Sequence, residues 1–247
     1  MSPSWRRRLS SWGKIAEVLF FPSFCQLCQA LLEEPGESVI CRSCQDKIRP
    51  CAAPFCLVCG RFFEGAGGPH LCLDCLGRDT PLARHRSFAR YEGVLKDVIL
   101  LFKFRGFEIL GALLGDHLAR ALGQEEALWE GVEAIVPVPL HPKRKKKRGF
   151  NQAHVLAARL GRSKKIRLFD RHLFKLKDVP PQTTLEAEER ESNVRGVFDV
   201  RKAQELEGKI VLLVDDVYTT GATLRECSLV LMKAGAKEVR AVTVAQA

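Results

Sequence analysis

From Pro81 onward the chain alternates between short continuous apolar runs and longer segments whose apolar residues recur every three or four positions. Residues 87–91 read as a strand. Residues 94–104 and 107–122 carry helical spacing, with Val94, Val98 and Leu101 on one face. Residues 134–138 form an apolar run that stops at Pro139, and residues 151–160 read as a helix capped by Asn151. The segment 182–194 is polar and acidic, helical over 185–193. Residues 209–214 form a strongly apolar strand bounded by Gly208 and Asp215. Residues 222–234 form a helix closed by Gly235, and residues 238–245 form a last strand. Continuous apolar strands between helices predict an α/β fold with a parallel sheet covered on both faces.

Before Pro81 the pattern is different. Residues 1–23 hold Arg6-Arg7-Arg8 and a mixed amphipathic run, which reads as a leading helix docked on the body. Lys14 and Glu17 interrupt any signal-peptide core, and no small-residue cleavage site follows. Membrane contact through Trp5, Trp12, Phe20 and Phe21 is the weaker reading. No stretch reaches the roughly 18 apolar residues of a membrane-spanning helix, so a cytoplasmic protein is expected.

Nine of the ten cysteines fall between Cys25 and Cys75, which sets off a small module over 24–80 from the body at 81–247. The module repeats itself: Cys25, Cys28, Cys41 and Cys44 recur 31 residues later as Cys56, Cys59, Cys72 and Cys75. Each Cys-x2-Cys turn holds two thiolates on one tight knuckle, and two knuckles supply the four ligands of tetrahedral zinc. So small a segment buries little apolar area, so bound metal would supply its folding free energy. Iron–sulfur ligation and disulfides are the alternatives; disulfides require an oxidising compartment, and no secretion signal is present. Sequential pairing within each set is expected, with a cross-braced pairing left open by spacing alone. Four thiolates close a site, so these tetrads are structural. Cys51 is a spare thiol, and Cys227 reads as a buried small apolar residue on a helix.

Charge adds a second local feature. The chain carries 39 Lys/Arg against 29 Asp/Glu, but residues 1–80 are nearly neutral, with nine against eight. Residues 141–175 hold thirteen Lys/Arg and one acid, Asp170. Basicity this concentrated suggests a polyanionic partner, with a solvated surface as the plain alternative.

The strand at 209–214 delivers Asp215 and Asp216 to its carboxyl end, the edge at which open α/β sheets bind ligands. Thr219, Thr220, Gly221, Ala222 and Thr223 then open a helix whose small residues let backbone N–H groups approach an anion. Two carboxylates for sugar hydroxyls beside a phosphate cradle suit a ribose 5-phosphate. A Walker B strand would also end in acids, but no Gly-x4-Gly-Lys-[Ser/Thr] loop occurs. A receiver or phosphatase domain would need an early acidic cluster and a late lysine, and neither is convincingly placed in this sequence.

The segment Val214 to Thr223 resembles the phosphoribosyl diphosphate (PRPP) motif of type I phosphoribosyltransferases. More closely, the stretches 24–75, 88–104, 136–152, 180–198 and 210–223 resemble the competence-associated ComF family, a double zinc ribbon before a transferase domain. The resemblance implies a type I phosphoribosyltransferase fold with a parallel sheet, preceded by the zinc-ribbon module. It implies that Asp215 and Asp216 hold the ribose hydroxyls, that Thr219 to Thr223 bind the 5-phosphate, and that Pro139 and Leu140 face the diphosphate. The segment 141–152, Arg148 included, resembles a mobile loop that closes over the site. Gln182, Arg190, Asn193 and Arg195 resemble a hood that recognises an acceptor. Mg²⁺ would travel with PRPP, coordinated mostly by substrate and water. One departure is that Gln29 follows Cys28 where zinc knuckles favour glycine.

The implied reaction is displacement of diphosphate from PRPP by an unidentified acceptor, with no residue standing out as general base; His141 and His154 are ordinary surface or capping candidates. The alternative is a non-catalytic PRPP-binding helper that engages single-stranded DNA and DNA-uptake proteins. The basic segment serves both, although Phe150, Phe169 and Phe174 are the only aromatics interleaved with it.

Overall fold

The computed structural model describes residues 23–33, 38–65, 67–77, 80–178 and 196–247. The expected leading helix, the expected helix within 182–194 and the hood residues Gln182, Arg190, Asn193 and Arg195 lie outside these. The chain separates into two compact units, Met1–Arg49 and Pro50–Ala247.

Among the described residues, the smaller unit contains the first cysteine set and a short helix, α1 (Arg42–Gln45). The larger unit contains the second set and the α/β body. In order, the body runs β1 (Arg84–Arg90), α2 (Gly93–Phe104), α3 (Leu110–Leu122), α4 (Glu126–Trp129), β2 (Val132–Pro137), α5 (Pro142–Arg148), α6 (Gln152–Lys164), β3 (Arg167–Leu168), β4 (Leu173–Lys175), β5 (Phe198–Val200), β6 (Ile210–Tyr218), α7 (Ala222–Lys233) and β7 (Glu238–Gln246). Strands β1, β7, β6, β2 and β3 form one sheet in that order, every pair parallel; β4 and β5 pair antiparallel as a separate ribbon.

The apolar runs occupy the centre of the sheet because a central parallel strand is buried on both faces. Val211, Leu213, Val239 and Ala241 pack with Leu224, Cys227 and Leu231 of α7. Helix α6 packs on β2 and β6, and α3 packs on α6. Asp116 of α3 accepts from both Nε and Nη2 of Arg159 on α6, at 2.6 and 2.8 Å. No helix among the described residues is long and apolar enough to cross a membrane.

Asn151 caps α6, its Oδ1 accepting from the Ala153 N–H at 3.1 Å while its Nδ2 donates to the Val138 carbonyl at 3.0 Å. Two expectations change. The strand expected to end at Val214 continues to Tyr218, because Asp215 and Val217 keep their places opposite Thr243 and Ala245 of β7. The basic segment 142–148 is a helix and not an open loop: Pro142 occupies the first turn, and His141 Nδ1 accepts from the Lys143 N–H at 3.3 Å.

Candidate functional site

The two cysteine sets form two tetrads, Cys25, Cys28, Cys41, Cys44 and Cys56, Cys59, Cys72, Cys75, the ligand atoms of each lying within 4.8 Å of one another. This is the sequential pairing. All ten thiols are free. A tetrahedral ion with metal–sulfur bonds of about 2.3 Å needs sulfur–sulfur edges of about 3.8 Å. The observed separations are 3.8 Å for Cys25–Cys44, 3.5 Å for Cys28–Cys41 and 3.7 Å for Cys59–Cys72, so both tetrads fit zinc. Burial acts to raise the Cys25 and Cys56 thiols, but backbone N–H groups outweigh it and both fall to about 6. Each tetrad therefore contains one thiol ready to ionise and bind metal.

The 31-residue repeat extends to the hydrogen bonds. Cys25 N–H donates to the Ala30 carbonyl as Cys56 N–H does to that of Arg61, both at 2.8 Å. Gln26 N–H donates to the Val39 carbonyl as Leu57 N–H does to that of His70. Gln29 and Gly60 occupy the same knuckle position with φ of 60° and 68°. Cys51 belongs to neither tetrad, and its N–H donates to the Phe88 carbonyl. Cys227 is fully buried, and burial holds its thiol well above the usual range.

At the carboxyl end of β6, Asp215 and Asp216 are half-buried and adjacent. Burial raises the Asp215 carboxyl to about 7, and the Asp216 charge adds to the effect. Lys103 Nζ lies 2.8 Å from Asp216 Oδ1, both side chains mostly covered. Arg148 lies over the Phe104 ring at 4.9 Å and donates to Gln152 Oε1 at 3.2 Å. Burial lowers Arg148, with Asp216 and Asp215 acting the other way. Lys175 is lowered by burial and by Arg144, against Asp215. The acidic pair is thus ringed by cations.

A cleft of about 520 Å³ opens beside it, lined by Lys103, Phe104, Lys143, Arg144, Lys147 and Arg148 together with Gly106 and Asp178. Four of these come from α5, where positions three and four apart share a face. Lys145 and Lys146 are exposed and line no part of it. Arg144 is anchored to Asp178 at 2.8 Å. Pro139 and Leu140 follow β2, which is joined to β6 by the bond from Val138 N–H to the Val214 carbonyl.

After Tyr218 the chain turns sharply. Gly221 has φ of 76°, and a Cβ there would meet the Tyr218 ring, at 2.7 Å from Cζ, so no other residue fits without moving the turn. Thr220 Oγ1 accepts from the Ala222 N–H at 3.4 Å, within the turn that leads into α7. Thr219 is exposed, and Gly221 and Ala222 are buried.

The structure therefore brings Asp215, Asp216 and Arg148 together and sets the turn of Thr219 to Thr223 directly after them. Two cations were missed in the sequence. Lys103 lies between Phe102 and Phe104 at the end of an amphipathic helix, and Lys175 lies in a three-residue strand too short to read. His141 caps α5, and His154 stands 3.8 Å from Asp170 on the surface. Other cations of the basic segment 141–175 are engaged within the fold: Lys164 donates to the Gly123 carbonyl at 2.6 Å, and Arg167 pairs with Glu205. Phe169 is buried and Phe150 packs on Phe102, which removes two of the three aromatics from any stacking surface.

Residues 145–247 match the family described as "Phosphoribosyl transferase domain", and residues 17–76 match "Double zinc ribbon domain". Among characterised relatives, "Competence protein ComFC" of Bacillus subtilis (strain 168) is 33% identical over 212 residues, covering 83% of this chain and 82% of that one. "Competence protein F" of Haemophilus influenzae is 30% identical over 231 residues, covering 92% and 99%. "DNA utilization protein YhgH" of Escherichia coli (strain K12) is 31% identical over 226 residues, covering 90% and 96%.

Proposed function

Because this chain belongs to the ComF family, in which a double zinc ribbon precedes a type I phosphoribosyltransferase domain, we propose that it binds PRPP with Mg²⁺ and displaces the diphosphate with an acceptor, in the service of DNA uptake or use. The observation that carries this reading is the pairing of an acidic dyad with a cationic cleft at one strand end. Asp215 and Asp216 suit ribose hydroxyls. Thr219 to Thr223 at the start of α7 suit the 5-phosphate, where N–H groups and helix polarity favour an anion. Pro139, Leu140 and the cleft residues Lys103, Arg144 and Arg148 suit the diphosphate. Bound Mg²⁺ would supply further neutralisation of the leaving diphosphate, and Asp215 and Asp216 would offer the hard oxygen ligands it prefers.

Displacement at the ribose C1 develops positive charge on the sugar and negative charge on the leaving group. Fixed charges that match this change accelerate the reaction without reorganising. The dyad faces the sugar, and the arginines and lysines face the leaving group. Asp215, raised to about 7, exchanges a proton near neutrality. The segment that would recognise the acceptor, with Gln182, Arg190, Asn193 and Arg195, belongs to this reading, as do a cytoplasmic setting and the limits 24–80 and 81–247 for ribbon and transferase domains.

The test is diphosphate release from PRPP and Mg²⁺ in the presence of candidate nucleobases, amines and single-stranded DNA. Release that depends on one acceptor class and is lost in Asp216→Ala supports transfer. PRPP binding without release under any acceptor supports the second reading, a non-catalytic helper. That reading is favoured by Lys145, Lys146, Arg162 and Lys165, exposed cations outside the cleft that suit a longer polyanion such as single-stranded DNA.

A further inference from the structure

The second cysteine tetrad is built into the body through a buried polar column that ends beneath the threonine turn. His85 of β1 is fully buried. Its Nδ1 lies 2.7 Å from the carbonyl of the zinc-ribbon residue Cys59, and its Nε2 lies 3.0 Å from Thr243 Oγ1 on β7. Ser87 Oγ closes the set at 2.7 Å from the same threonine. The His85 backbone N–H donates to the Val58 carbonyl at 2.7 Å, so the knuckle is pinned at two points. Arg86, also buried, donates from Nη1 to the carbonyls of Cys56 and Leu57 and lies over the Phe55 ring.

The other face of His85 carries the link onward. Its ring stacks on Tyr218 with centroids 4.2 Å apart and planes 17° from parallel. Tyr218 is the last residue of β6, and its ring is the surface against which Gly221 turns. Glycine is required at both ends of the column. At Gly60 a Cβ would stand 2.5 Å from the His85 carbonyl oxygen, and at Gly221 it would enter the Tyr218 ring. Close-packed interiors transmit a displacement of this kind and do not absorb it.

We propose that His85 and Tyr218 are positioning residues through which the second tetrad sets the shape of the 5-phosphate turn. The inference rests on the PRPP reading above and deepens it. The metal would act here as a fastener: Cys59, held among its partners, presents its carbonyl to His85; His85 holds the Tyr218 ring; and the ring fixes the path of residues 219–221. Phosphate recognition by backbone N–H groups depends on that path.

The experiment compares two ligands by calorimetric titration of the full chain: ribose 5-phosphate, which needs the turn, and inorganic pyrophosphate with Mg²⁺, which needs the cationic cleft. Tyr218→Leu removes the stacked ring, and Gly60→Ala pushes the knuckle off β1. Both are expected to bind ribose 5-phosphate about tenfold more weakly, or worse, with pyrophosphate binding unchanged. Tyr218→Phe, which keeps the ring, is expected to retain wild-type affinity. Unchanged ribose 5-phosphate binding in Tyr218→Leu and Gly60→Ala overturns the inference. So does equal loss of both ligands, which marks general loosening of the fold. Wild-type protein that binds pyrophosphate but not ribose 5-phosphate overturns the PRPP reading itself, and the inference with it.

Discussion

Lys103 Nζ stands 2.8 Å from Asp216 Oδ1, joining the end of α2, which lines the cleft, to the carboxyl-terminal half of β6. With side chains only 16% and 13% exposed, the pair is largely desolvated. Removing one member of such a pair leaves the other as an uncompensated charge. Here Asp216 would be left beside Asp215. Lys103→Met is expected to destabilise the chain by about 2 kcal/mol, discounted from the full buried-pair cost for residual exposure. Combined with Asp216→Asn, the loss is expected to fall short of the sum, because one interaction is counted twice. Urea denaturation of the two single variants and the double variant measures the coupling; strict additivity would refute it.

Asp215 gives a pH dependence. Its carboxyl is raised from 3.8 to about 7 by burial and by the Asp216 charge. Between those values the folded chain holds a proton that the unfolded chain has released. Stability from this group is therefore full below the window and is lost as pH rises through it. Asp215→Asn removes the effect. Its melting temperature is expected to exceed that of wild type at about pH 8, with the difference shrinking towards about pH 5. Ligand affinity runs the other way in wild type, because ribose hydroxyls and Mg²⁺ favour the ionised pair: PRPP binding is expected to strengthen as pH rises through about 7.

The first knuckles of the two tetrads differ in the residue that follows the second cysteine. Gln29 holds φ of 60°, a left-handed conformation that Gly60 adopts without penalty. A side chain there costs about 1 kcal/mol. Gln29→Gly is expected to leave zinc content at two ions per chain and to slow zinc loss to a chelator. Metal analysis followed by a competition with a zinc-binding dye reads both. Fewer than two zinc ions in wild type would contradict the tetrad assignment, and unchanged release would contradict the strain.

The basic helix α5 divides its cations between two tasks. Lys143, Arg144, Lys147 and Arg148 line the cleft, while Lys145 and Lys146 point elsewhere. Replacing Lys145 and Lys146 with alanine is expected to flatten the log–log salt dependence of single-stranded DNA binding by about 1.4, at about 0.7 per phosphate. PRPP affinity should hold. Fluorescence anisotropy at several salt concentrations measures the slope; an identical slope would assign these lysines to solvation alone.

The periodic elements were legible because burial on two faces writes itself as continuous apolar runs. The strands at 132–137 and 238–246 follow that rule, whereas the helices α2 and α6 bury one face and were legible as helices from their sequence pattern. The tetrads were legible because four ligands on two knuckles impose fixed spacing. The extension of β6 through Asp215 to Tyr218 was not, since polar residues end an apolar run whether or not the ladder continues. Helix α5 was hidden for a different reason. A run of Lys and Arg reads as a solvated loop, and only the Pro142 and His141 cap geometry makes it helical. Lys103 and Lys175 depend on tertiary approach: nothing in their local spacing says that α2 and β4 converge on one carboxylate pair. His85 was invisible in the same way, a lone histidine whose partners come from the zinc knuckle, β6 and β7.

The central claim is that Asp215, Asp216 and the threonine turn form a PRPP site, and isothermal titration of the full chain with PRPP and Mg²⁺ tests it most directly. Wild-type protein is expected to bind one PRPP per chain, and Asp216→Ala is expected to bind at least about tenfold more weakly. Absence of binding by the wild type, or equal affinity in the two proteins, would contradict the claim.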